Sequence, residues 1–550
     1  MKNRRLSICA LLLALLMTAL PLCGGMAEES TPDYVNPAGT FPISTQEDIV
    51  LRFVVPSTLN IEDYNTNYYT LWLEERLGSK IEFETYPMAE MEQKVQLALA
   101  SNTDLPDAFL GLPKSGSSMF NATNVIRYGG EGQLIALNDY IDQYGDGIKA
   151  AFEKYSTGTT MEQLITSADG NIYIMPVLVV GKISRTSHKL WLNQGWMEKL
   201  GLEEPTTTEE LYEVLKAFKT QDPNGNGKAD EIPLIGTYDG LYYSPVDYIM
   251  GSFIENNAKC NYLIADEEGQ LSYGPVADAW REGLKYINRL TSEGLIDPLT
   301  FTQDRQELKQ IANDENDICG GFVALGLNHI VTDNAIAERY VDVLPVEGPE
   351  GVRLAVDNPP IPDGAGVITS ACKYPELVFR LFDLMLTDEG SKMARYGEEG
   401  VDWTEPDPGE LDRFGNPATL KVLVDNWGHP QNKIWWGLNP YINDVYNDGA
   451  VGSSFPLSEQ KNGIASARYM DYLPENTVGM LIYSLDDVDR VNELTVALND
   501  YVKQSVAQFA VGVKDPNSDQ DWEAYLREFE VIGLDEFLEL SQAVYDNMTD

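Results

Sequence analysis

The segment of this 550-residue chain with the clearest chemical meaning is an acidic, glycine-containing stretch at residues 222–231. Oxygen-bearing side chains stand at its positions 1, 3, 5 and 9, and Gly227 at position 6 permits a sharp turn. This alternation points every second side chain of a tight loop inward, where a hard cation requires oxygen ligands. The spacing predicts a calcium loop with six ligands: Asp222, Asn224, Asn226, Lys228 (through its backbone carbonyl), Asp230 and Glu231.

The end of this loop departs from an EF-hand. An EF-hand places a carboxylate at position 12, but that position is Pro233 here, and Glu231 is the nearest substitute. The residues that follow, 232–234, are typical of a strand rather than of a second helix. We therefore expect a structural calcium site that braces a helix-to-strand connection rather than a sensor. The alternative is a solvated Asn/Gly turn.

Residue patterns for catalysis are scarce. The three histidines are scattered, without the spacing of a metal-binding motif. Cys260, Cys319 and Cys372 lie far apart, are odd in number and form no CxxC pair, so neither a disulfide framework nor a zinc site is predicted. No GxSxG segment supports a serine nucleophile, although a Ser-His-Asp arrangement stays open. We predict no catalytic residues and no enzyme activity.

The charge balance excludes one large class of function. There are 86 Asp and Glu residues against 39 Lys and Arg, which gives a formal net charge of −47. Binding to nucleic acid depends on neutralising phosphates with basic side chains, so this chain is not predicted to bind nucleic acid. Hydrophobic residues make up 43% of the sequence, which is enough for a large core, and this length favours two lobes or domains.

The amino terminus predicts export from the cell. Residues 1–27 combine a basic start, an uncharged apolar stretch and small residues at a cleavage site, as in a secretory signal peptide. Residues 20–23 also resemble a lipobox, in which Cys23 would carry a lipid, although Leu22 stands where a small residue is expected. A freely secreted form and a lipid-anchored form both stay open. The polar residues 28–46 are predicted to be a flexible tether.

Hydrophobic periodicity places these features on an α/β framework. The first part of the folded chain reads as β-α-β-α-β, which predicts a mostly parallel sheet covered by helices. The strands are predicted at 48–55, 80–86 and 105–110, and the helices at 68–77 and 91–100.

The predicted calcium loop follows a second run of elements. Strands are predicted at 171–175 and 189–193, and a short helix at 196–200. Thr207 and Glu210 form the pattern of a capping box, which marks the start of the helix that leads into the loop. The apolar residues of this helix fall on one face, so we expect it to pack against a core.

The order of several motifs resembles one family across nearly the whole exported chain. The motifs are LPD at 105–107, DGNIY at 169–173, LWLN at 190–193, PTT at 205–207, the calcium loop, CKYPE at 372–376, YGEEGVDW at 396–403, DWEAY at 521–525 and AVY at 543–545. Together they resemble the extracellular solute-binding proteins (family 1) of bacterial ABC importers, in the branch of LplA-type lipoproteins and alginate-oligosaccharide receptors.

The resemblance implies an α/β, two-lobed periplasmic-binding-protein-like fold with a hinge, an interlobe ligand cleft and a helix-rich C-terminal part. Residues 47–180 and 320–375 are expected to form the N-terminal lobe, and residues 181–319 and 376–550 the C-terminal lobe. The implied function is to capture an oligosaccharide and deliver it to the transmembrane subunits of an ABC permease, as a monomer outside the cell. A structural calcium ion is the implied cofactor.

Sugar recognition suggests which side chains line the cleft. Aromatic rings stack on the apolar faces of sugar rings, and amides or carboxylates hydrogen-bond the hydroxyl groups. The candidates lie outside regular elements or after strand ends: Asn65, Asn67, Tyr238, Asp239, Tyr242, Tyr243, Trp427, Trp435 and Trp436. For each aromatic residue, packing in the core is the competing explanation. A receptor for a peptide or another non-sugar solute remains an alternative, as does a secreted glycoside hydrolase.

Overall fold

The computed structural model of the chain describes residues 32–549, except 112–119, 121, 156–160, 239–241, 360–361, 427–429, 436, 444–448 and 452–454. The predicted signal peptide and Cys23 therefore lie outside the described residues. No helix in the described part of the chain combines the length and the apolar character needed to cross a membrane.

The described strands are short and number fourteen. They are β1 Val50–Ser57, β2 Lys80–Pro87, β3 Ala108–Leu110, β4 Ile174–Val179, β5 Lys189–Asn193, β6 Leu263–Ala265, β7 Leu271–Tyr273, β8 Gly321–Ala324, β9 Tyr340–Val343, β10 Asp363–Ile368, β11 Trp403–Thr404, β12 Leu420–Val422, β13 Tyr441–Asn443 and β14 Ala450–Val451.

The α-helices surround these strands and dominate the C-terminal part. In the first half they are Tyr68–Leu77, Met91–Ser101, Ala122–Gly130, Asn138–Tyr144, Asp146–Tyr155, Met161–Ile165, Lys182–Arg185, Gln194–Leu200, Thr208–Thr220 and Pro245–Met250. In the second half they are Asp278–Ser292, Arg305–Ala312, Asn334–Ala337, Pro375–Leu386, Asp388–Tyr396, Leu457–Tyr469, Leu485–Ala510, Asp519–Ile532 and Leu534–Thr549. The predicted helix-rich C-terminal part is confirmed.

Several predicted elements form where their end signals stand. The helix Tyr68–Leu77 begins after Asn67, whose side chain accepts a hydrogen bond from the Tyr69 N–H, and it ends at Gly78 in a left-handed conformation. The helix Thr208–Thr220 begins after Thr207, whose hydroxyl oxygen accepts from the Glu210 N–H. The return bond of the predicted capping box goes to Thr206 instead, whose N–H donates to the Glu210 carboxylate at 2.8 Å.

The first lobe is built on a six-stranded sheet with the order β13-β4-β10-β3-β1-β2. The β1 strand pairs in parallel with β2 and β3, as the β-α-β-α-β order predicts. The later strand β10 inserts antiparallel between β3 and β4, so the sheet is mixed. Helices on this sheet bury a continuous core that includes Phe53 and Phe109.

The second lobe has a smaller sheet and most of the C-terminal helices. Its three strands have the order β8-β5-β9, and both pairs are antiparallel. The long helix Leu485–Ala510 contributes Leu494, Leu498 and Val502 to the core of this lobe, next to Trp280. A further three-stranded sheet, β11-β12-β14, has its own small core around Trp403.

The structure assigns at least three segments differently from the predicted lobe boundaries. Trp435 and β13 were expected in the second lobe, but Trp435 lies in the first core and β13 pairs with β4 in the six-stranded sheet. Residues 320–344 were expected in the first lobe, but β8 and β9 pair with β5 in the second. The helix Pro375–Leu386 was expected in the second lobe, but its buried face packs in the first core, against β10 and the helix Asp146–Tyr155. Strand pairing and helix burial decide which lobe each segment joins. They act through contacts between residues that are distant in sequence, which local sequence patterns do not reveal.

The described part of the predicted tether is packed rather than flexible. Val35 and Ile43 are buried in the first core. The Tyr34 hydroxyl donates to the Glu376 carboxylate at 2.5 Å, and the buried Arg380 guanidinium donates to the Asn36 carbonyl at 2.5 Å. The prediction of a flexible tether is wrong for residues 32–46, because their few apolar side chains find a place on the first lobe.

Candidate ligand cleft and calcium loop

Adjacent connecting segments join the two lobes. The first runs from β4 to β5, and the second leads into β10, which lies beside β4 in the sheet. These segments meet at a single bridge between Thr186 and Asp357. The Arg185 guanidinium donates two hydrogen bonds of 2.9 Å to the Asp357 carboxylate, which is 4% exposed. This bidentate pair holds the two segments together where a hinge is expected.

Asn65 and Asn67, predicted to line the cleft, have structural partners in the first lobe. Asn67 is fully buried, caps a helix and donates from Nδ2 to the Ile434 carbonyl at 3.3 Å. The side-chain oxygen of Asn65, which is exposed, accepts from the Phe83 N–H at 3.3 Å. A bridge between Ile61 and Gln431 lays the segment that carries Trp435 beside both residues. Their placement as ligand contacts stays a prediction, which the structure supports better for Asn65.

Trp435 lies in the first core. The indole is 1% exposed and packs among Tyr69, Phe83 and Tyr64, with ring centroids 5.1, 5.6 and 6.0 Å away. A ring enclosed in this way cannot stack on a sugar unless the lobe opens locally. In this structure the competing explanation, packing in the core, accounts for Trp435.

The three candidate tyrosines of the second lobe differ in their surroundings. Tyr238 packs edge-to-face on Phe301 with centroids 5.8 Å apart, and burial raises the pKa of its hydroxyl well above the usual value. The Tyr243 hydroxyl accepts from Arg305 at 3.1 Å and lies 3.2 Å from Nδ1 of His329. Tyr242 is half-buried and lines a small cavity beside the connecting segments. Of the three, Tyr242 is the one placed near the expected hinge.

Three further candidates, Asp239, Trp427 and Trp436, lie outside the described residues. The sequence reasoning also missed the connecting-segment residues Arg185 and Asp357. An arginine and an aspartate 172 positions apart carry no local signal, and only the bridge between the two segments brings them together.

The predicted calcium loop at 222–231 folds through its own side chains. The Asp222 carboxylate accepts from the N–H groups of Gly225 and Gly227 at 2.9 and 3.2 Å, and the Asn226 side chain accepts from the Lys228 N–H at 2.7 Å. Gly227 has a φ of +73°, which is the sharp turn that its position predicts. The oxygen-bearing side chains at alternating positions therefore turn toward one another.

The acidic side chains of the loop suit a cation, but the two asparagine amides are not oriented to bind one. Glu231 Oε1 is buried and has no hydrogen-bond partner, and burial, together with the charges of Asp222 and Asp230, raises the pKa of Glu231. The Nδ2 groups of Asn224 and Asn226 donate to Asp230, so both amides would rotate to present oxygen to an ion. Within the described residues, no three or more His, Cys, Asp and Glu side chains are grouped to hold a metal.

The two α/β lobes, the adjacent connecting segments and the candidate residues near them define a hinged binding protein of the two-lobed class. The family model of the bacterial extracellular solute-binding protein matches residues 62–392. The chain belongs to this family, as the motifs had suggested, and the predicted fold class is confirmed. The family is one of extracellular substrate-binding proteins, which supports the prediction of no enzyme activity.

Relatives match the chain over almost its whole length. It is 30% identical over 564 residues, covering 99% of both chains, to FusA, the fructooligosaccharide ABC transporter substrate-binding protein of Streptococcus pneumoniae. The structure of FusA from S. pneumoniae in complex with kestose is similar, with a TM-score of 0.71, 26% identity, and coverage of 91% of this chain and 99% of that one. A FusA EF-hand mutant from the same organism, in complex with fructo-nystose, gives a TM-score of 0.70 at the same identity and coverage.

Proposed function

We propose that this chain is the extracellular substrate-binding component of an ABC importer, which captures an oligosaccharide between its lobes and delivers it to the permease subunits. The similarity to FusA over 99% of both chains carries this proposal. A relative that matches the full length shares both lobes and the segments between them, so the manner of binding is expected to be shared as well.

The net charge of the chain narrows the class of oligosaccharide that we expect it to bind. A net charge of −47 repels anions at long range, so a neutral oligosaccharide is favoured over an acidic one. FusA is named for fructooligosaccharides, which are neutral, so kestose and nystose are the first sugars to test. The aromatic candidate with the best placement is Tyr242, beside the connecting segments.

A thermal-unfolding scan of residues 28–550 tests the proposal. The panel is kestose, nystose, a neutral glucose trimer, a galacturonate trimer and a short peptide. A ligand at a hundred times its Kd stabilises the folded state by about 2.7 kcal/mol, which a melting curve detects. A shift with one class of neutral glycan supports the proposal. Shifts with the peptide alone would refute the sugar ligand and favour the alternative of a non-sugar solute.

Turnover separates the receptor from a glycoside hydrolase. A receptor binds kestose at one site per chain and returns it unchanged, whereas a hydrolase releases fructose. Chromatography of kestose after a long incubation with the protein distinguishes the two outcomes. Release of free sugar in proportion to protein concentration would overturn the receptor proposal.

The calcium loop is proposed as a structural site in the same receptor. The support is the oxygen pattern at 222–231, the unpartnered buried oxygen of Glu231, and the EF-hand mutant among the related structures. Glu231→Gln provides a sharp test because it removes a buried charge. In chelator the variant is expected to melt higher than the parent, whereas in calcium it is expected to melt lower.

The matched control is Asp515→Asn, in another exposed acidic turn where Asp515 Oδ1 accepts from the Asn517 N–H. It is expected to leave the calcium-dependent shift unchanged. A parent protein whose melting curve is the same in calcium and in chelator would refute the site.

The mode of attachment to the cell is proposed from Cys23. A lipid on this residue would anchor the receptor near its permease, whereas cleavage after residue 27 would release it. Fractionation of cells that express the full chain and its Cys23→Ser variant decides between them. The anchored form predicts that only the parent remains with the membrane fraction.

A further inference from the structure

A buried histidine lies beside the point where the two connecting segments meet. His188 ends the first segment, directly before β5. Its ring nitrogen Nδ1 lies 2.9 Å from the Ser187 hydroxyl oxygen, and Nε2 lies 3.5 Å from Asp247 Oδ2. The Ser187 hydroxyl donates to the carbonyl of Val356, on the second connecting segment, at 3.2 Å. A chain of polar contacts therefore runs from the second segment through His188 to the helix Pro245–Met250.

This Ser-His-Asp cluster is not placed for catalysis. Ser187 and His188 are only 1% and 6% exposed. A serine nucleophile gives its hydrogen to the histidine and reaches a substrate, whereas Ser187 gives its hydrogen to a backbone carbonyl. The cluster instead connects the two segments where they meet, a region that we call the interlobe joint (residues 184–188 and 354–358).

The number of hydrogens in the cluster decides which contacts can form together. A serine hydroxyl has one hydrogen, and because it goes to Val356, the Ser187 oxygen accepts from Nδ1–H of His188. Nε2 must also carry a hydrogen, because its lone pair would otherwise face the Asp247 carboxylate. A neutral imidazole has one N–H group, and only the imidazolium has both. The full set of contacts therefore requires a protonated His188.

Asp247 is the stronger of the two partners of the ring. Its other oxygen, Oδ1, accepts from Asn256 Nδ2 at 3.0 Å. Burial opposes the ionisation of Asp247, but the hydrogen bond and the charge of His188 outweigh it and lower the pKa of this carboxyl. A buried carboxylate that loses its partner is more costly than one exchanged hydroxyl contact. When His188 becomes neutral, we therefore expect Nε2 to keep its hydrogen and Nδ1 to lose its own.

Other charged or titratable groups also face His188. The Tyr242 ring centroid lies 6.1 Å from that of His188, and Lys259 and Asp357 line the same cavity. Lys189, the next residue, donates to two backbone carbonyls, and burial lowers its pKa to about 7. Lys189 therefore titrates in the range in which histidine side chains titrate. A test of His188 has to observe its ring directly.

We propose that His188 is a proton switch in the interlobe joint, which as an imidazolium ties the second connecting segment, through Ser187, to Asp247. When the proton on Nδ1 passes to solvent, the Ser187 hydroxyl turns to donate to this nitrogen and releases the Val356 carbonyl. The second segment then loses one of the contacts that hold it. A rise in pH therefore loosens the joint, whichever solute the cleft binds.

Nuclear magnetic resonance of residues 28–550 without ligand tests the switch, because the chain has only three histidines. The shifts of labelled ring nitrogens distinguish the imidazolium from the Nδ1–H and Nε2–H forms. His188→Asn assigns the signal, since asparagine also tolerates the φ of +52° at this position. Between pH 5 and 8, we expect His188 to change from the imidazolium to the Nε2–H form.

His329 is an internal control for this titration. Burial and three neighbouring cations lower its pKa to about 4. Its signal is therefore expected to stay mostly neutral between pH 5 and 8, and its shift also reports that each variant is folded. A His188 ring that stays neutral across this range, or that becomes neutral as the Nδ1–H form, would overturn the proposal.

Ser187→Ala separates the switch from ordinary titration. Alanine leaves Nδ1–H of the imidazolium without an acceptor, so the titration midpoint of His188 is expected to fall by at least about half a pH unit, or about threefold in proton affinity. The matched control is Ser252→Ala, which removes another buried hydroxyl that donates to a backbone carbonyl, that of Val346, at 2.7 Å. This control is expected to keep the parent's midpoint, and a Ser187→Ala variant that also keeps it would refute the switch.

Hydrogen exchange shows whether the joint responds to the proton. At residues 354–358, protection corrected for intrinsic rates is expected to be at least about twofold lower at pH 8 than at pH 5, from the loss of one hydrogen bond. This difference is expected to disappear in Ser187→Ala. Equal protection of the parent at both pH values would overturn the proposal. A difference that survives in His188→Asn would assign the response to Lys189 and would also overturn it. Because no ligand is present, these outcomes do not depend on the proposed function.

Discussion

Replacing Trp435 tests whether this residue belongs to the core or to the ligand site. Its indole is 1% exposed among three aromatic neighbours in the first lobe. Truncation of a buried tryptophan to alanine costs about 3–5 kcal/mol, and aromatic pairs contribute about 0.5–1.5 kcal/mol each beyond their burial. Trp435→Ala is therefore expected to destabilise the first lobe toward the upper end of about 3–5 kcal/mol.

The assay must report on each lobe separately, because a protein with two lobes does not unfold in one step. Hydrogen exchange read by mass spectrometry provides this. Trp435→Ala is expected to reduce protection in Tyr68–Leu77 and in β2, and to leave β5 unchanged. Trp280→Ala is the matched control in the second core, where its indole is also 1% exposed, and it is expected to give the opposite pattern.

A conservative variant separates stability from binding. Trp435→Phe keeps a ring in the core and removes an indole nitrogen that is buried without a hydrogen-bond partner. If the residue acts only in the core, this variant binds kestose within about twofold of the parent, which is less than 0.5 kcal/mol. A tenfold loss of kestose affinity with normal protection of the first lobe would refute the assignment to the core.

Three further predictions concern other parts of the chain. Asp357→Asn removes the carboxylate that pairs with Arg185. It is expected to lower the free energy of unfolding in urea by an amount toward the lower end of about 3–5 kcal/mol. A loss below about 1 kcal/mol would contradict a structural role for this pair. Cys260 and Cys319 are expected to resist iodoacetamide at pH 8 until urea is added, because burial raises the pKa of both thiols to about 12. Rapid labelling of either thiol in the folded protein would contradict this prediction. Arg380→Leu removes donors to the carbonyls of Asn36, Pro37 and Thr40, so exchange at 32–46 is expected to accelerate while β1 stays protected. Unchanged exchange at 32–46 would show that the buried Val35 and Ile43, with the hydrogen bond from Tyr34 to Glu376, hold the segment without Arg380.

Local signals predicted most elements of the first part of the chain. The helix Tyr68–Leu77 and the strand β5 have the predicted bounds, and β1, β2 and the helix Met91–Ser101 differ by one or two residues. These elements carry their own end signals, such as the capping Asn67 and the terminal Gly78. Capping and periodicity act between residues close in sequence, which is why the sequence alone is sufficient for them.

Local signals failed where an element could belong to either lobe. Residues 232–234 were predicted as a strand, yet they make only single bridges, to Cys319 and Ile296. The lobe of β8 and β9 is set by pairing with β5, which lies over a hundred residues earlier. The lobe of the helix Pro375–Leu386 is set by packing in the first core, which includes the distant helix Asp146–Tyr155. An apolar face indicates that an element is buried, and it does not indicate in which core.

The sequence by itself indicated the family, and it predicted export of the chain, no binding to nucleic acid and a calcium loop at 222–231, because these inferences rest on motifs, charge and short-range spacing. Only the tertiary structure decided that Asn67 and Trp435 lie in the interior of the first lobe and that Arg185 pairs with Asp357 where the two connecting segments meet. Burial and pairing of this kind arise from contacts between distant segments, and the free energy of those contacts is set by the packing of the whole lobe.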